Sequence, residues 1–166
     1  YPLSLHAALP FLTWVIVTFV GQRTKVDGHS MEPTLSDGDN LIVDKLSYRF
    51  RDPERYDIIV FPYQHAENTY YIKRIIGLPG ETVQVIDGYM YINGKKLDEH
   101  YGAEVMEDQG IAAEPIKLGD DEYFVLGDNR NNSADSRYAN IGNVKKDYII
   151  GQAWFRVSQW KQFGFI

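Results

Sequence analysis

In the run Tyr70-Tyr71-Ile72-Lys73-Arg74-Ile75-Ile76 a lysine stands among apolar neighbours. Side chains alternate along an extended strand, so Lys73 shares a face with Tyr71 and Ile75, while Arg74 lies on the other with Ile72 and Ile76. Such a lysine either snorkels its amine to water or loses its hydration. Loss of hydration disfavours the ammonium form and lowers the pKa, which turns lysine into a general base near neutral pH. That base needs a nucleophile, and the candidate is Ser30 in Asp27-Gly28-His29-Ser30-Met31-Glu32-Pro33-Thr34-Leu35. Gly28 lets the backbone approach a substrate and Pro33 limits the turn after the serine, which suits a rigid, exposed hydroxyl. A serine in a turn is otherwise a capping group. His29 does not complete a Ser/His/Asp triad, because neighbours on an extended chain point to opposite faces. His6, His65 and His100 sit in no catalytic setting. Ser158-Gln159-Trp160-Lys161 matches S-x-x-K without its companion motifs and is read as chance.

The third cluster is Gly127-Asp128-Asn129-Arg130-Asn131-Asn132-Ser133-Ala134-Asp135-Ser136-Arg137. Acids, amides, serines and arginines at this density suggest a network of ion pairs and turn-stabilising hydrogen bonds. The plain alternative is a solvated loop. A calcium loop fits poorly, since Arg130 falls where an oxygen ligand is required. The Asn131-Asn132-Ser133 sequon is common by chance.

These groups need a frame, and the pattern around them is β. Leu41 to Val43, Ile58 to Phe61, Tyr70 to Ile76, Thr82 to Ile86, Tyr89 to Ile92, Tyr123 to Leu126 and Ile149 to Val157 are short runs rich in Ile, Val, Tyr and Phe, separated by turn residues. Asp87-Gly88 marks a tight hairpin. Leu46 to Arg51 allows one helical turn, and His100 to Pro115 has the weakest pattern and reads as a surface excursion.

The chain has 166 residues, no cysteine, and a net charge of −6 from 17 basic and 23 acidic side chains. One domain of ordinary size, or a small domain plus an appendage, fits this length. Disulfide scaffolds, thiol catalysis and cysteine-ligated metals are excluded. An acidic balance argues against nucleic acid as the main partner. The charge is segregated: none of it lies in Tyr1 to Gln22, and that apolar stretch has the length of a membrane-spanning helix. A buried core element is the alternative, favoured by Pro10. The expected division is therefore a membrane anchor over 1–22 and a β domain over 23–166, with a small β insert at about 82–121. Ser30 follows Gln22 by eight residues, which holds it at most roughly 28 Å from a bilayer edge. The late aromatics Trp154, Phe155, Trp160, Phe163 and Phe165 suit either an interfacial surface or, for the first two above all, the core.

Taken together, Ser30-Met31-Glu32-Pro33-Thr34-Leu35, Gly38-Asp39 with Leu41-Ile42-Val43, Tyr71 through Gly80, and Gly127 through Arg137 resemble bacterial type I signal peptidases in residues and order. The resemblance spans nearly the whole chain. It implies a mostly β fold of antiparallel sheets with an N-terminal membrane-anchoring helix, and a membrane-bound endopeptidase that removes signal peptides from exported preproteins. Ser30 is then the nucleophile, Lys73 the neutral amine that takes its proton, and Ser133 the hydroxyl that orients that amine. Asp128 pairs with Arg74 and Asp135 with Arg137 as structural support. The Ser30 backbone N–H serves the oxyanion hole, with Gly28 at the position where one branch of the family has a second, hydroxyl donor. Val26, Asp27, Met31, Leu35, Tyr71 and Ile72 match positions around shallow pockets that admit small residues of a substrate bound as an added strand. No cofactor or metal is implied. Preproteins and membrane lipid are the expected partners, the expected state is a monomer, and the expected location is the outer side of the cell membrane, on a single span.

Competing readings must account for the same residues. A self-cleaving repressor-type Ser/Lys peptidase shares the dyad, but this chain is acidic, lacks a helix-turn-helix segment and carries the apolar stretch. A tethered, non-enzymatic β domain leaves Ser30, Lys73 and Ser133 without a shared role. An organellar processing peptidase has overlapping motifs.

Overall fold

A computed structural model describes Leu9 and Pro10, Gly21 to Gly102, Glu104 to Val157 and Gly164 to Ile166. Most of the expected anchor, together with Trp160 and Phe163, lies outside these residues. Among the described residues no helix is long and apolar enough to cross a membrane. Among the described residues, strand structure begins at Gly21 and takes in the last two residues of the expected anchor, Gly21 and Gln22.

The described chain forms strands β1 (Gly21–Lys25), β2 (Asn40–Asp44), β3 (Ile58–Pro62), β4 (Tyr70–Gly77), β5 (Thr82–Ile86), β6 (Tyr89–Ile92), β7 (Lys95–Lys96), β8 (Ile116–Lys117), β9 (Glu122–Leu126), β10 (Val144–Lys145), β11 (Gly151–Arg156) and β12 (Gly164–Phe165). All pairings are antiparallel. The larger sheet has the order β1-β2-β11-β3-β4-β9-β10, with β12 on β11; the smaller is β7-β6-β5-β8. Two-residue turns with positive φ at both positions, Asp87-Gly88 and Asn93-Gly94, close the hairpins of the smaller sheet. The helical turn expected near Leu46 is a short 3-10 segment, Ser47–Arg49.

Alternation along β4 divides its side chains as the period of two requires. Ile75 packs with Ile59, Phe61, Tyr123 and Val125, and Tyr71 borders that cluster. Ile72 borders a second cluster built from Val26, Met31, Leu35, Leu41 and Ile58. Ile76 enters a third with Val83, Val85, Met90, Phe124 and Leu126, where the two sheets meet. Burying one such side chain contributes roughly 1.5–3 kcal/mol, so β4 is held from both faces. The junction is tight at Gly77, where a Cβ would lie 2.6 Å from Val83 and 2.9 Å from both Leu118 and Phe124. The ladder between β4 and β9 shifts register there, between Ile75 and Gly77.

Among the described residues two strand edges are left free. β1 ends the larger sheet and pairs only with β2. β4 pairs with β3 from Tyr70 to Arg74, but its ladder with β9 starts only at Arg74.

Candidate active site

Ser30 sits in the loop between β1 and β2. Gly28 takes φ +97°, a conformation that L side chains avoid, and its N–H donates to Asp37 Oδ1 at 2.9 Å. Met31 and Leu35 are buried beneath the loop and hold it to the core. From the far side, Asn129 donates its backbone N–H to the Ser30 carbonyl at 3.0 Å and its side-chain amide to the His29 carbonyl at 3.1 Å. Ser30 is thus gripped through its carbonyl, while its own N–H makes no hydrogen bond among the described residues.

Lys73 stands opposite Ile59 in the β3–β4 ladder and is 3% exposed. Its Nζ donates to Ser30 Oγ at 2.7 Å and to the Ile72 carbonyl at 3.1 Å, and lies 5.1 Å from the centre of the Tyr71 ring. Burial pulls its pKa down from 10.5 to about 8, against the opposing pull of the carboxylates of Asp135 and Asp128. A neutral lysine amine is therefore accessible at mildly alkaline pH.

The third cluster follows β9. Asp128 receives Arg74 Nε at 2.8 Å and Nη2 at 2.6 Å, a two-pronged pair in which both side chains are buried, and Thr34 Oγ1 also donates to it. Asp135 receives Arg137 Nε and Nη2 at 2.9 Å each, and accepts the Gly127 N–H at 3.2 Å. Bidentate charge-assisted bonds fix geometry as well as charge. Ser136 is likewise tied in, its Oγ accepting the Val125 N–H at 2.9 Å. The orientation expected of Ser133 differs from that found. Its Oγ is buried with no hydrogen-bond partner among the described residues, and Lys73 Nζ is instead satisfied by Ser30 and the Ile72 carbonyl. Ser133 is close-packed over Gly127, where a Cβ would lie 2.2 Å from Ser133 Oγ and 2.4 Å from the Ser30 carbonyl oxygen.

A groove of about 520 Å³ runs from the Ser30 and Lys73 side chains between residues 24–28 and 68–72. Val26, Asp27, Met31, Tyr71 and Ile72 line it. Leu35 does not; it is fully buried beside Met31 and Ile72, one layer behind the wall. Nor does Gly28 offer a free N–H, since Asp37 holds it. The exposed Trp154 and Phe165 pack edge to face 5.1 Å apart at the surface, so Trp154 is not in the core.

Several site residues carried no sequence signal of their own. Tyr101 lays its ring 3.7 Å from the Arg74 guanidinium, and Glu99 pairs with Arg130 across 31 positions of chain. Both lie beside or within His100 to Pro115, where no periodicity marks them. Thr34 and Asn129 fall inside the motifs above, but their types suggested only turn formation.

Fold and site together define a β-sheet protein in which a serine hydroxyl and a buried lysine amine meet on one groove, a class that includes peptidases. A family model described as signal peptidase, peptidase S26, matches residues 3–160, and the chain belongs to that family. A probable signal peptidase I-2 of Synechocystis sp. is 47% identical over 146 residues, which cover 85% of this chain and 65% of that protein. A signal peptidase I of Bacillus amyloliquefaciens is 43% identical over 155 residues, 87% of this chain and 80% of its own length. The crystal structure of a signal peptidase I from Enterococcus faecalis superposes with a TM-score of 0.50 at 38% identity, covering 61% of this chain and 97% of that one.

Proposed function

We propose that this chain is an endopeptidase that removes signal peptides from exported preproteins, with Ser30 as nucleophile and Lys73 as general base. The observation that carries this reading is the 2.7 Å contact between the buried Lys73 Nζ and Ser30 Oγ at the groove. With the amine neutral, the Ser30 hydroxyl gives its proton to Nζ as Oγ bonds to the carbonyl carbon of the scissile peptide. The oxyanion that forms takes a hydrogen bond from the unengaged Ser30 N–H. Collapse breaks the C–N bond, and the Lys73 ammonium returns the proton to the departing amine. Water then gives a proton to Lys73 as it attacks the acyl ester, and the Lys73 ammonium returns that proton to Ser30 Oγ as the C–Oγ bond breaks, which releases the signal peptide and restores Ser30. The unpartnered Ser133 hydroxyl supplies a further acceptor for the ammonium during turnover.

The substrate is an extended peptide ending in small side chains. It lies between the free edges of β1 and of Tyr70 to Lys73, which offer backbone bonds in place of sequence-specific contacts. Met31, Tyr71 and Ile72 wall the groove, so bulky side chains before the cut are excluded sterically and an Ala-x-Ala sequence fits. The apolar stretch before Gly21 anchors the domain on the outer side of the cell membrane, where a substrate still held in the bilayer presents its cleavage site. The working unit is a monomer. Ser30→Ala and Lys73→Met are each expected to abolish cleavage of an Ala-x-Ala precursor in detergent while the circular dichroism of the fold is kept. Cleavage by either folded variant would refute the dyad.

A further inference from the structure

Arg130 is buried, with 3% of its side chain exposed, and it is not one of the two arginines that pair with Asp128 and Asp135. Its Nη1 and Nη2 donate to the two oxygens of Glu99, each at 2.7 Å, and Nη2 also reaches the Tyr101 carbonyl at 3.0 Å. Its Nε donates to the Gly127 carbonyl at 3.0 Å. One guanidinium therefore ties a segment between β7 and β8 of the smaller sheet to the residue packed between Ser133 and the Ser30 carbonyl. The backbone of that segment lies flat on the same group: Gly102 has φ +89°, and a Cβ there would be 2.8 Å from Arg130 Cζ. Next to it the Tyr101 ring covers the Arg74 guanidinium, the partner of Asp128. Arg130 is held through its backbone too, because Arg137 donates to the Arg130 carbonyl and, at 2.9 Å, to the Asp108 carbonyl.

A bidentate buried pair at this position has no chemistry of its own to do, and a buried charge pair is a weak stability device. Its geometry does something else: it fixes the turn Arg130–Asn132 that leads into Ser133. We propose that residues 99–102 form a strap that positions the catalytic loop, with Glu99 acting as a positioning residue through Arg130. A slack strap lets Gly127 and Ser133 lift from the Ser30 carbonyl and admits water beside Lys73. Lys73 faces Ser30 and Tyr71 and feels the carboxylates of Asp135 and Asp128; Glu99 faces Arg130 and Tyr56. The strap thus reaches the lysine only through the loop and not by direct charge. The inference rests on the peptidase reading for its kinetic consequence.

The test uses the full chain in detergent with Glu99→Gln, Tyr101→Ala and Tyr101→Phe. Two readouts are taken: steady-state cleavage of an Ala-x-Ala peptide, and the titration of Lys73 followed by the carbon-13 shift of its Cε, assigned with Lys73→Met. Glu99→Gln and Tyr101→Ala are expected to lower kcat about tenfold with KM within about twofold, the pattern of a lost positioning contact, and to move the Lys73 midpoint upward. Tyr101→Phe keeps the ring over Arg74 and is expected to match the wild type. Wild-type kcat and an unmoved Lys73 midpoint in folded Glu99→Gln overturn the strap. If Glu99→Gln does not fold, the same result in Tyr101→Ala overturns it. An inactive wild type whose Lys73 midpoint still depends on the strap overturns the peptidase reading alone.

Discussion

Replacing Lys73 by methionine tests the cost of burying its amine, separately from any loss of activity. The side chain is 3% exposed, and burial lowers its pKa from 10.5 to about 8. Each pKa unit corresponds to about 1.4 kcal/mol, so confining the ammonium form to this site costs on the order of 3 kcal/mol relative to the unfolded chain. At pH 7 a group titrating near 8 is still about nine-tenths protonated, so the native state bears nearly all of that cost. Methionine fills much of the same volume without a charge and relieves it. The sign with pH follows from proton counting. Between about pH 8 and 10.5 the unfolded lysine holds its proton while the folded one sheds it, so wild-type stability from this group rises across that window. Lys73→Met is therefore expected to be more stable than wild type at pH 7, and the gap to close by about 2 kcal/mol between pH 7 and pH 9.5. Urea denaturation of both proteins at the two pH values measures it, since tyrosines that titrate in this range are common to both and cancel. A difference independent of pH, or one that widens with pH, would refute the assignment of a desolvated lysine at this position.

Two further outcomes follow from the same geometry. The specificity constant for an Ala-x-Ala peptide is expected to rise about tenfold per pH unit below pH 8 and to flatten above about pH 9, as the Lys73 amine becomes neutral; a profile flat from acid to alkaline pH contradicts the lysine base. Gly127→Ala places a methyl group 2.2 Å from Ser133 Oγ and 2.4 Å from the Ser30 carbonyl oxygen. Such overpacking costs about 1–3 kcal/mol and pushes Ser30 off Lys73, so kcat should fall at least about tenfold while groove binding holds; an unchanged kcat would show that this contact does not set the serine.

How far the sequence could be read depended on whether a residue's partner was near in the pattern or only near in space. β3, β4, β5, β6 and β9 appear as runs of Ile, Val, Tyr and Phe because each is covered by a core cluster. β1, Gly-Gln-Arg-Thr-Lys, has no such signature: it is an edge strand with no buried residue, tied to β2 by its backbone ladder and by the Arg23 guanidinium on Asn40 Oδ1. The two-residue strands β7, β8 and β10 are too short for any period to show. In the site, alternation placed Lys73 and Arg74 on opposite faces of β4, and the third cluster advertised ion pairs by density. The direction of the Ser133 hydroxyl was beyond reach, because a rotamer depends on packing over Gly127. Glu99 was hidden for another reason. Its partner Arg130 is 31 positions away, and a surface-type acid in an aperiodic stretch looks the same whether it is solvated or buried against an arginine.

The pattern of paired charges is explained by what an isolated carboxylate would do to the buried Lys73 amine. Asp135 and Asp128 both act on Lys73 in the direction that favours its ammonium form, against the burial that favours its neutral amine. Left alone in a site of low polarity, either carboxylate would hold the proton on the lysine. Each is instead gripped by its own arginine with two short bonds, Arg74 on Asp128 and Arg137 on Asp135. The arginines return positive charge to the acids and leave the desolvation of Lys73 as the larger effect. Buried ion pairs contribute little to stability when compared with apolar packing, so stability does not account for two such pairs here. Their placement does: the carboxylates accept the Gly127 N–H and the Thr34 hydroxyl, which fixes the loops on either side of Ser30, and the arginines cancel the charge that this scaffolding would otherwise impose on the amine.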